Sequence, residues 1–415
     1  MILRVYFKTF GCRTNIYDTE LMKSYIKNAT ITNDENLADI IIVNSCTVTN
    51  GADSGVRSYI NGMKNIGKKV ILTGCGAVSK GEELFKNSSV FGVLGASHKS
   101  KINDLLNSDK PFFELGDLNF IDKNIISNYE NHTKAFIKIQ EGCDFKCSYC
   151  IIPSVRGSSR SIDEKIILKE AMTLADNGYN EIVLTGTNIG SYGYTNNSSL
   201  GKLLQKLGMI NGIKRIRLGS IEPSQIDDSF KEILHETWLE KHLHIALQHT
   251  SQRMLNIMKR RNKAFKDIEL FNELSNLGFA LGTDFIVGHP GESQELWDEA
   301  LINFKKFPLT HLHAFIYSPR SGTTSAQMKI DVDGITAKKR LNILKDIVSV
   351  NNFEFRKKVK TTLEILVEKQ EANGLYDGFD QFYNKIKIKS NNDISKEWIK
   401  IKNYEVKSDV NYAEI

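Results

Sequence analysis

Glu141-Gly-Cys143-Asp-Phe-Lys-Cys147-Ser-Tyr-Cys150-Ile-Ile-Pro153 stands just beyond the apolar run Ala135 to Ile139. Three thiolates spaced C-x3-C-x2-C cannot sensibly pair as disulfides, but they can hold three corners of a 4Fe-4S cube and leave the fourth iron open. Zinc is the alternative; it normally takes four protein ligands, with His132 as a conceivable fourth. Around this junction strands and helices alternate. Strand candidates are Ala135 to Ile139, Glu181 to Thr185, Arg215 to Gly219, His242 to Leu247, Ala280 to Val287 and His311 to Tyr317. Helical periodicity occupies Asp163 to Asn177, Ser198 to Leu207, Asp267 to Leu277 and Ser293 to Phe304. Such strands linked by right-handed crossovers form either a partly closed β/α barrel or a large open sheet.

Upstream the same alternation predicts an open parallel α/β domain. Its strands are Arg4 to Lys8, Asp39 to Asn44, Lys69 to Thr73 and Phe91 to Leu94, with helices over Asp18 to Lys27 and Ser54 to Lys64. The polar stretch Asn107 to Lys134 interrupts this rhythm. Downstream, a charged helix over Thr336 to Lys358 leads to strand-like Thr361 to Lys369, Gln381 to Lys389 and Trp398 to Tyr404, the pattern of a small β-barrel. Expected domains are therefore 1–128, 129–354 and 355–415.

The 415 residues are 41% apolar and 25% charged, with 29 Gly and 6 Pro. That is ordinary globular composition and excludes wholesale disorder and collagen-like structure. Apolar runs fall far short of the roughly 20 residues that cross a bilayer. The start, Met1-Ile-Leu-Arg-Val-Tyr-Phe-Lys, has neither an apolar h-region nor a small-residue cleavage site, so a cytoplasmic protein is expected. A net charge of +6 permits nucleic-acid contact without demanding it.

Six cysteines would suggest three disulfides in a secreted chain. Here they divide into two threes. Cys12, Cys46 and Cys75 each follow an apolar strand, and in an open parallel sheet the loops at the carboxyl ends of strands line one edge, where ligands bind. Gly11, Ser45, Gly74 and Gly76 let the backbone approach a bulky inorganic group. Buried free cysteine is common in cores, but three in matching positions, with none left over, favour a second cluster. Thiolate clusters imply a reducing compartment.

In Lys385-Ile-Lys-Ile-Lys389 the period of two puts three lysines on one face. They mark either a solvated edge strand protected from aggregation or an RNA-contacting face. Among nine histidines, only His242 with His244 and His311 with His313 are suggestively spaced. Alternate positions on strands read as packing, and no histidine ligand is expected.

The cysteine motif resembles that of the radical S-adenosylmethionine superfamily, and Cys12, Cys46 and Cys75 resemble the amino-terminal triplet of its methylthiotransferases. Further matches are Leu184-Thr-Gly-Thr-Asn188, Arg215-Ile-Arg-Leu-Gly-Ser-Ile-Glu-Pro223, His244-Ile-Ala-Leu-Gln248, Met258-Lys-Arg-Arg261, Thr283-Asp-Phe-Ile-Val-Gly-His-Pro-Gly-Glu292 and Tyr317-Ser-Pro-Arg-Ser-Gly-Thr323. Asn44-Ser-Cys46-Thr-Val-Thr-Asn50-Gly-Ala-Asp53-Ser54 and Lys138-Ile-Gln-Glu-Gly-Cys143-Asp144 resemble the branch acting on N6-threonylcarbamoyladenosine in tRNA. Ala246, Asn262 and His289 depart from the family's usual Pro, aromatic and Phe.

The resemblance implies a partial β/α barrel with its cluster at the mouth and a TRAM-like β-barrel tail. It implies two 4Fe-4S clusters: Cys143, Cys147 and Cys150 hold one that binds S-adenosylmethionine, and Cys12, Cys46 and Cys75 hold an auxiliary one. It places Thr187, Asn188, Ser220 and Glu222 as S-adenosylmethionine contacts and Arg260 and Arg261 as partners of substrate phosphate, with Lys385, Lys387 and Lys389 as further RNA contacts. The implied reaction is methylthiolation of C2 of the modified adenosine at tRNA position 37. A radical made from S-adenosylmethionine removes hydrogen, and the auxiliary cluster supplies sulfur that a separate S-adenosylmethionine methylates. Partners would be tRNA, an electron donor such as flavodoxin or ferredoxin, and a sulfur source, with no membrane. Alternatives are a ribosomal-protein aspartate or isopentenyladenosine as substrate, or a non-enzymatic iron-sulfur RNA-binding regulator.

Overall fold

A computed structural model describes residues 2–130, 132–195, 197–371 and 374–415. The first sheet contains β1 (Leu3–Thr9), β2 (Ala29–Ile31), β3 (Ile40–Ser45), β4 (Lys69–Gly74), β5 (Gly92–Leu94) and β6 (Phe112–Glu114), all parallel, in the order β2-β1-β3-β4-β5-β6. Every residue of β3 is buried, as its unbroken Ile40-Ile-Ile-Val43 run requires of a central strand covered on both faces. Ile41 and Val43 pack with Val56 and Ile60, whereas Ile40 and Ile42 pack with Ile102 and Leu106, so alternate side chains serve opposite layers. From β1 the chain passes outward to β2 and returns to β3 on the other side, which makes the β1/β3 boundary a topological switch point.

The second unit contains β7 (Ala135–Glu141), β8 (Arg160–Ser161), β9 (Glu181–Gly186), β10 (Arg215–Leu218), β11 (His242–His244), β12 (Ala280–Val287) and β13 (Leu309–Ile316). Sheets β10-β9-β7-β8 and β11-β12-β13 are joined through the parallel bridges Ile216 to Leu239 and Ile221 to Ile245. The six parallel strands form a partly closed barrel, and β8 caps one edge antiparallel to β7. The main core fills this unit, and Tyr17 and Leu21 of helix Arg13–Tyr25 join it. The strand expected over His242 to Leu247 stops being regular at His244, and Gln248 beyond it takes a left-handed φ of 67°.

Helix Gly334–Lys358 carries the chain to the third sheet: β14 (Leu363–Gln370), β15 (Leu375–Phe379), β16 (Lys385–Lys389), β17 (Trp398–Ile401), β18 (Glu405–Val406) and β19 (Asn411–Glu414). Their order is β17-β14-β15-β16-β19-β18, mostly antiparallel and curled around Ile365, Val367, Ile386 and Ile388. The edge-strand reading of Lys385 to Lys389 is corrected, because β16 pairs with β15 on one side and β19 on the other. No described helix is long and apolar enough to cross a membrane.

Candidate functional site

The auxiliary triplet is built at the switch point. Two residues beyond β1, Gly11, with a φ of 105°, turns the chain into Cys12, the residue capping helix Arg13–Tyr25. β3 runs directly into Cys46. β4 ends at Gly74, φ 81°, and Cys75 opens helix Cys75–Lys86. A Cβ on Gly11 would lie 2.6 Å from the Cys46 Cβ, so only glycine admits this approach of two cysteine loops. Asn15 binds them together through Nδ2, which donates to the carbonyls of Phe10 at 2.8 Å and Ser45 at 3.1 Å. Cys46 and Cys75 are buried and Cys12 is exposed. Burial pushes the Cys46 thiol up to about 11, with Cys75 and Cys12 adding to the rise. Burial also raises Cys75, against the pull of Arg156.

The second triplet stands at the end of β7. Gly142 turns left-handed (φ 73°), and the Cys143 amide donates to the Gly157 carbonyl at 3.0 Å. Cys143, Cys147 and Cys150 line one cavity of about 530 Å³, together with Lys146, Lys259, Thr323 and Thr324. Burial pushes Cys150 up to about 12 and raises Cys143. Arg260 Nη1 lies 3.8 Å from Cys147 Sγ, and Asn188 Nδ2 lies 3.6 Å from Cys143 Sγ.

Each triplet offers three soft sulfur donors, the ligand type that iron-sulfur clusters take. The zinc alternative loses its fourth ligand: His132 packs edge-on against Tyr129 and Phe136 at 6.0 and 5.7 Å.

Between the triplets lies a buried charge network with three cations, Lys99, Lys138 and Arg156, and three carboxylates, Asp18, Asp122 and Glu141. Lys99 meets Asp18 and Asp122 at 2.9 and 2.7 Å, and Lys138 meets the same pair at 2.8 and 2.7 Å. Arg156, in the short helix Ile152–Arg156 after Cys150, reaches Asp18 at 2.7 Å, Glu141 at 2.6 Å and Asn15 Oδ1 at 2.6 Å. Its Nε donates to Cys75 Sγ at 3.1 Å. One guanidinium thus spans from the loop of one triplet to a sulfur of the other. Although burial opposes ionisation, Lys138 and Arg156 hold the Glu141 carboxyl down at about 2. A second tie comes from Arg320, which donates to the Thr47 carbonyl at 2.9 Å and to Asp53 at 2.6 Å, docking the 317–323 loop against the segment after Cys46.

Sequence reasoning missed Asp18, Lys99, Asp122 and Arg156 as site residues. Its one available signal was Lys138 and Glu141, charges inside the strand Ala-Phe-Ile-Lys-Ile-Gln-Glu, whose every residue is buried. Of the expected S-adenosylmethionine contacts, Thr187 Oγ1 accepts from the Gly142 amide at 3.2 Å, and Asn188 faces Cys143 as above. Glu222 is buried, caps its own turn through the Ser224 amide at 2.9 Å, and lies 3.4 Å from Arg260. Ser220 is exposed, and none of these four lines the 530 Å³ cavity.

The expected basic pair divides. Arg260 is corrected as an outward phosphate contact: its buried guanidinium donates to the Ala246 carbonyl at 2.6 Å and Asn262 Oδ1 at 3.0 Å. Two departures from the family pattern, Ala246 and Asn262, are therefore its partners. Arg261 is exposed and lies over the Phe145 ring at 4.0 Å. Lys385 and Lys387 pair with Asp377 and Glu371, both at 2.8 Å, while Lys389 is exposed.

Comparisons with known proteins agree with this geometry. The profile of the Radical SAM superfamily matches residues 137–301, and that of "Uncharacterized protein family UPF0004" matches residues 4–95. The threonylcarbamoyladenosine tRNA methylthiotransferase of Aquifex aeolicus is 34% identical, covering 86% of this chain and 91% of its own. The chain belongs to the radical SAM methylthiotransferase family. This methylthiotransferase is also 50% identical to a Helicobacter pylori (strain J99) protein provisionally named a methylthiotransferase, over 99% of both chains. A tRNA-2-methylthio-N(6)-dimethylallyladenosine synthase of Fervidobacterium nodosum is 32% identical over 91% of both. In fold, the methylthiotransferase is similar to the radical S-adenosylmethionine methyltransferase TsrM from Kitasatospora setae (TM-score 0.60, 14% identity, 79% and 77% coverage), solved with cobalamin and a 4Fe-4S cluster. Family membership implies S-adenosylmethionine and 4Fe-4S clusters as cofactors.

Proposed function

We propose that the chain methylthiolates C2 of N6-threonylcarbamoyladenosine at position 37 of tRNA. The observation that carries the choice of substrate is the character of the cavity beside Cys143, Cys147 and Cys150. Beside Asp144, Phe145 and Pro153 its walls carry two ammoniums, Lys146 and Lys259, and two hydroxyls, Thr323 and Thr324, and these ammoniums and hydroxyls are partners suited to the carboxylate and hydroxyl of a threonylcarbamoyl group. A hydrocarbon isopentenyl group would gain nothing from them. The name of the Aquifex aeolicus relative supports the same reading.

Within this reading, residues 129–354 hold the S-adenosylmethionine-binding cluster on Cys143, Cys147 and Cys150, and residues 1–128 hold the auxiliary cluster on Cys12, Cys46 and Cys75. When bound, these groups supply the radical that removes an unactivated hydrogen and the sulfur that replaces it. The chain's own part is positioning and shielding. Thr187, Asn188, Ser220 and Glu222 orient S-adenosylmethionine, Arg260 fixes the Cys147 loop, and Arg156 with its carboxylates fixes one cysteine loop against the other. Arg261, Lys389 and residues 355–415 meet tRNA phosphates, with Lys385 and Lys387 held by acidic partners until RNA competes for them. An external electron donor and a sulfur source complete the cycle.

Mass spectrometry of tRNA nucleosides from a deletion strain tests the proposal. The methylthio derivative of N6-threonylcarbamoyladenosine should disappear while its unthiolated precursor accumulates. An unchanged level refutes the assignment, and loss of the isopentenyladenosine derivative instead transfers it to that substrate.

A further inference from the structure

The two His-x-His pairs do more than pack. β11 and β13 flank β12, and the register sets His244 beside Gly282 and Asp284 beside His313. The histidine rings lean over β12 because Gly282 leaves room: a Cβ there would lie 2.6 Å from His244 Nδ1 and 3.0 Å from His242 Nε2. His244 Nε2 lies 3.1 Å from Asp284 Oδ1, and His313 Nδ1 lies 3.5 Å from the same oxygen. All three ligating atoms fall within 4.8 Å of one another.

We propose that His244, Asp284 and His313 form a binding site for a divalent first-row metal ion, distinct from both cysteine triplets. Two imidazoles and one carboxylate converging from three adjacent strands are the donor set that suits Fe2+, Zn2+ or Mn2+, and they differ in kind from the sulfur donors that hold clusters. The anchoring is rigid, since each ligand stands on a β-strand and the His244 and Asp284 side chains are only 8% and 18% exposed. The remaining side is open: the His313 side chain is 63% exposed, which leaves coordination positions for water or an oxygen of a bound substrate. The inner pair completes the surroundings. His242 and His311 pack against each other at 4.6 Å between ring centroids.

The test uses the anaerobically reconstituted full chain with its clusters in place and Mn2+ as probe, titrated by electron paramagnetic resonance of free and bound ion. One Mn2+ per chain should bind, with nitrogen couplings from two imidazoles in pulsed spectra. His313→Gln should remove one coupling and weaken binding about tenfold or more; the exposure of His313 keeps this variant folded, which circular dichroism checks. Asp284→Asn should weaken binding at least as much, and His235→Gln, at a 78% exposed side chain elsewhere on the surface, should leave it unchanged. Absence of bound Mn2+ in the unaltered chain overturns the proposal and reduces the trio to a hydrogen-bonded chain. Binding that survives both His313→Gln and Asp284→Asn also overturns it. Neither result bears on which adenosine is the substrate, which the nucleoside measurement decides separately.

Discussion

Arg156→Leu should destabilise the chain by about 3–5 kcal/mol, the usual loss when one partner is removed from a buried ion pair. The size follows from the charge balance. Lys99, Lys138 and Arg156 oppose Asp18, Asp122 and Glu141, and all six are buried. Arg160 adds a longer contact to Glu141 at 3.7 Å, but removing Arg156 takes a positive charge from the centre of the network and strips a donor from Asp18, Glu141 and Asn15, now met at 2.7, 2.6 and 2.6 Å. Against a total stability of roughly 5–15 kcal/mol this is a large fraction. The assay is urea unfolding under anaerobic conditions, read as a change in midpoint at constant slope. Arg156→Leu combined with Glu141→Gln restores the original net charge and should recover about 1–3 kcal/mol relative to the summed single losses. Arg156→Lys should fall between, because an ammonium cannot span four partners as the planar guanidinium does. Lys86→Ala, which breaks an exposed pair with Glu82, should change stability by about 0.5 kcal/mol or less. An Arg156→Leu loss no larger than that of Lys86→Ala, or strict additivity of the double variant, would refute the view that these six residues balance as a unit.

The two triplets should separate by function. Cys147→Ala should abolish S-adenosylmethionine cleavage, whereas Cys46→Ala should retain cleavage and lose sulfur insertion; normal insertion by Cys46→Ala sinks the auxiliary-cluster reading. Glu170 makes stability depend on pH, since burial pushes its carboxyl up to about 8 against the Ile126 amide and Tyr17 hydroxyl that pull it down. A raised folded pKa means that its contribution is full below pH 4.5 and is lost as pH rises toward 8, at up to about 1.4 kcal/mol per unit. Glu170→Gln should flatten that slope, and unfolding curves at pH 5 and 8 that keep it would show another group responsible. For tRNA binding, Arg261→Ala and Lys389→Ala should each lower the slope of log affinity against log salt by about 1. Lys385→Ala and Lys387→Ala, already ion-paired, should lower it less; equal effects from all four would contradict the pairing seen here.

What could be read from the sequence was local and periodic. The Ile40 to Val43 run marked a strand, though not its central place in the sheet, and the cysteines fell into two threes by their spacing and their positions after strands before any contact was known. β2 and β6 escaped because three residues, Ala-Thr-Ile and Phe-Phe-Glu, carry no usable period. The lysine face of β16 was legible, since a period of two fixes which side chains share a face, but its neighbours were not: β19 enters the sheet beside it from the end of the chain. Arg260 looked like a surface pair with Arg261, yet one residue of backbone turn sends it inward to Ala246 and Cys147. The Asp18 to Lys138 pair joins residues 120 apart, and no pattern along a chain announces a contact of that span. That His244 and His313 meet across Asp284 was hidden for the same reason, because only the pairing of three strands brings them together.

Arg13, directly after Cys12, donates to the Leu218 carbonyl at 3.3 Å and to the Tyr383 hydroxyl at 3.1 Å. The second contact closes a separation of 370 residues. At a synthesis rate of roughly 5–20 residues per second, about 20–70 s pass between the emergence of these two side chains from the ribosome. Cys12, Cys46 and Cys75 all precede Tyr383 in that schedule, so the helix start after the first cysteine gains this contact only once the third sheet has been made. A chain cut before Tyr383 would lack it.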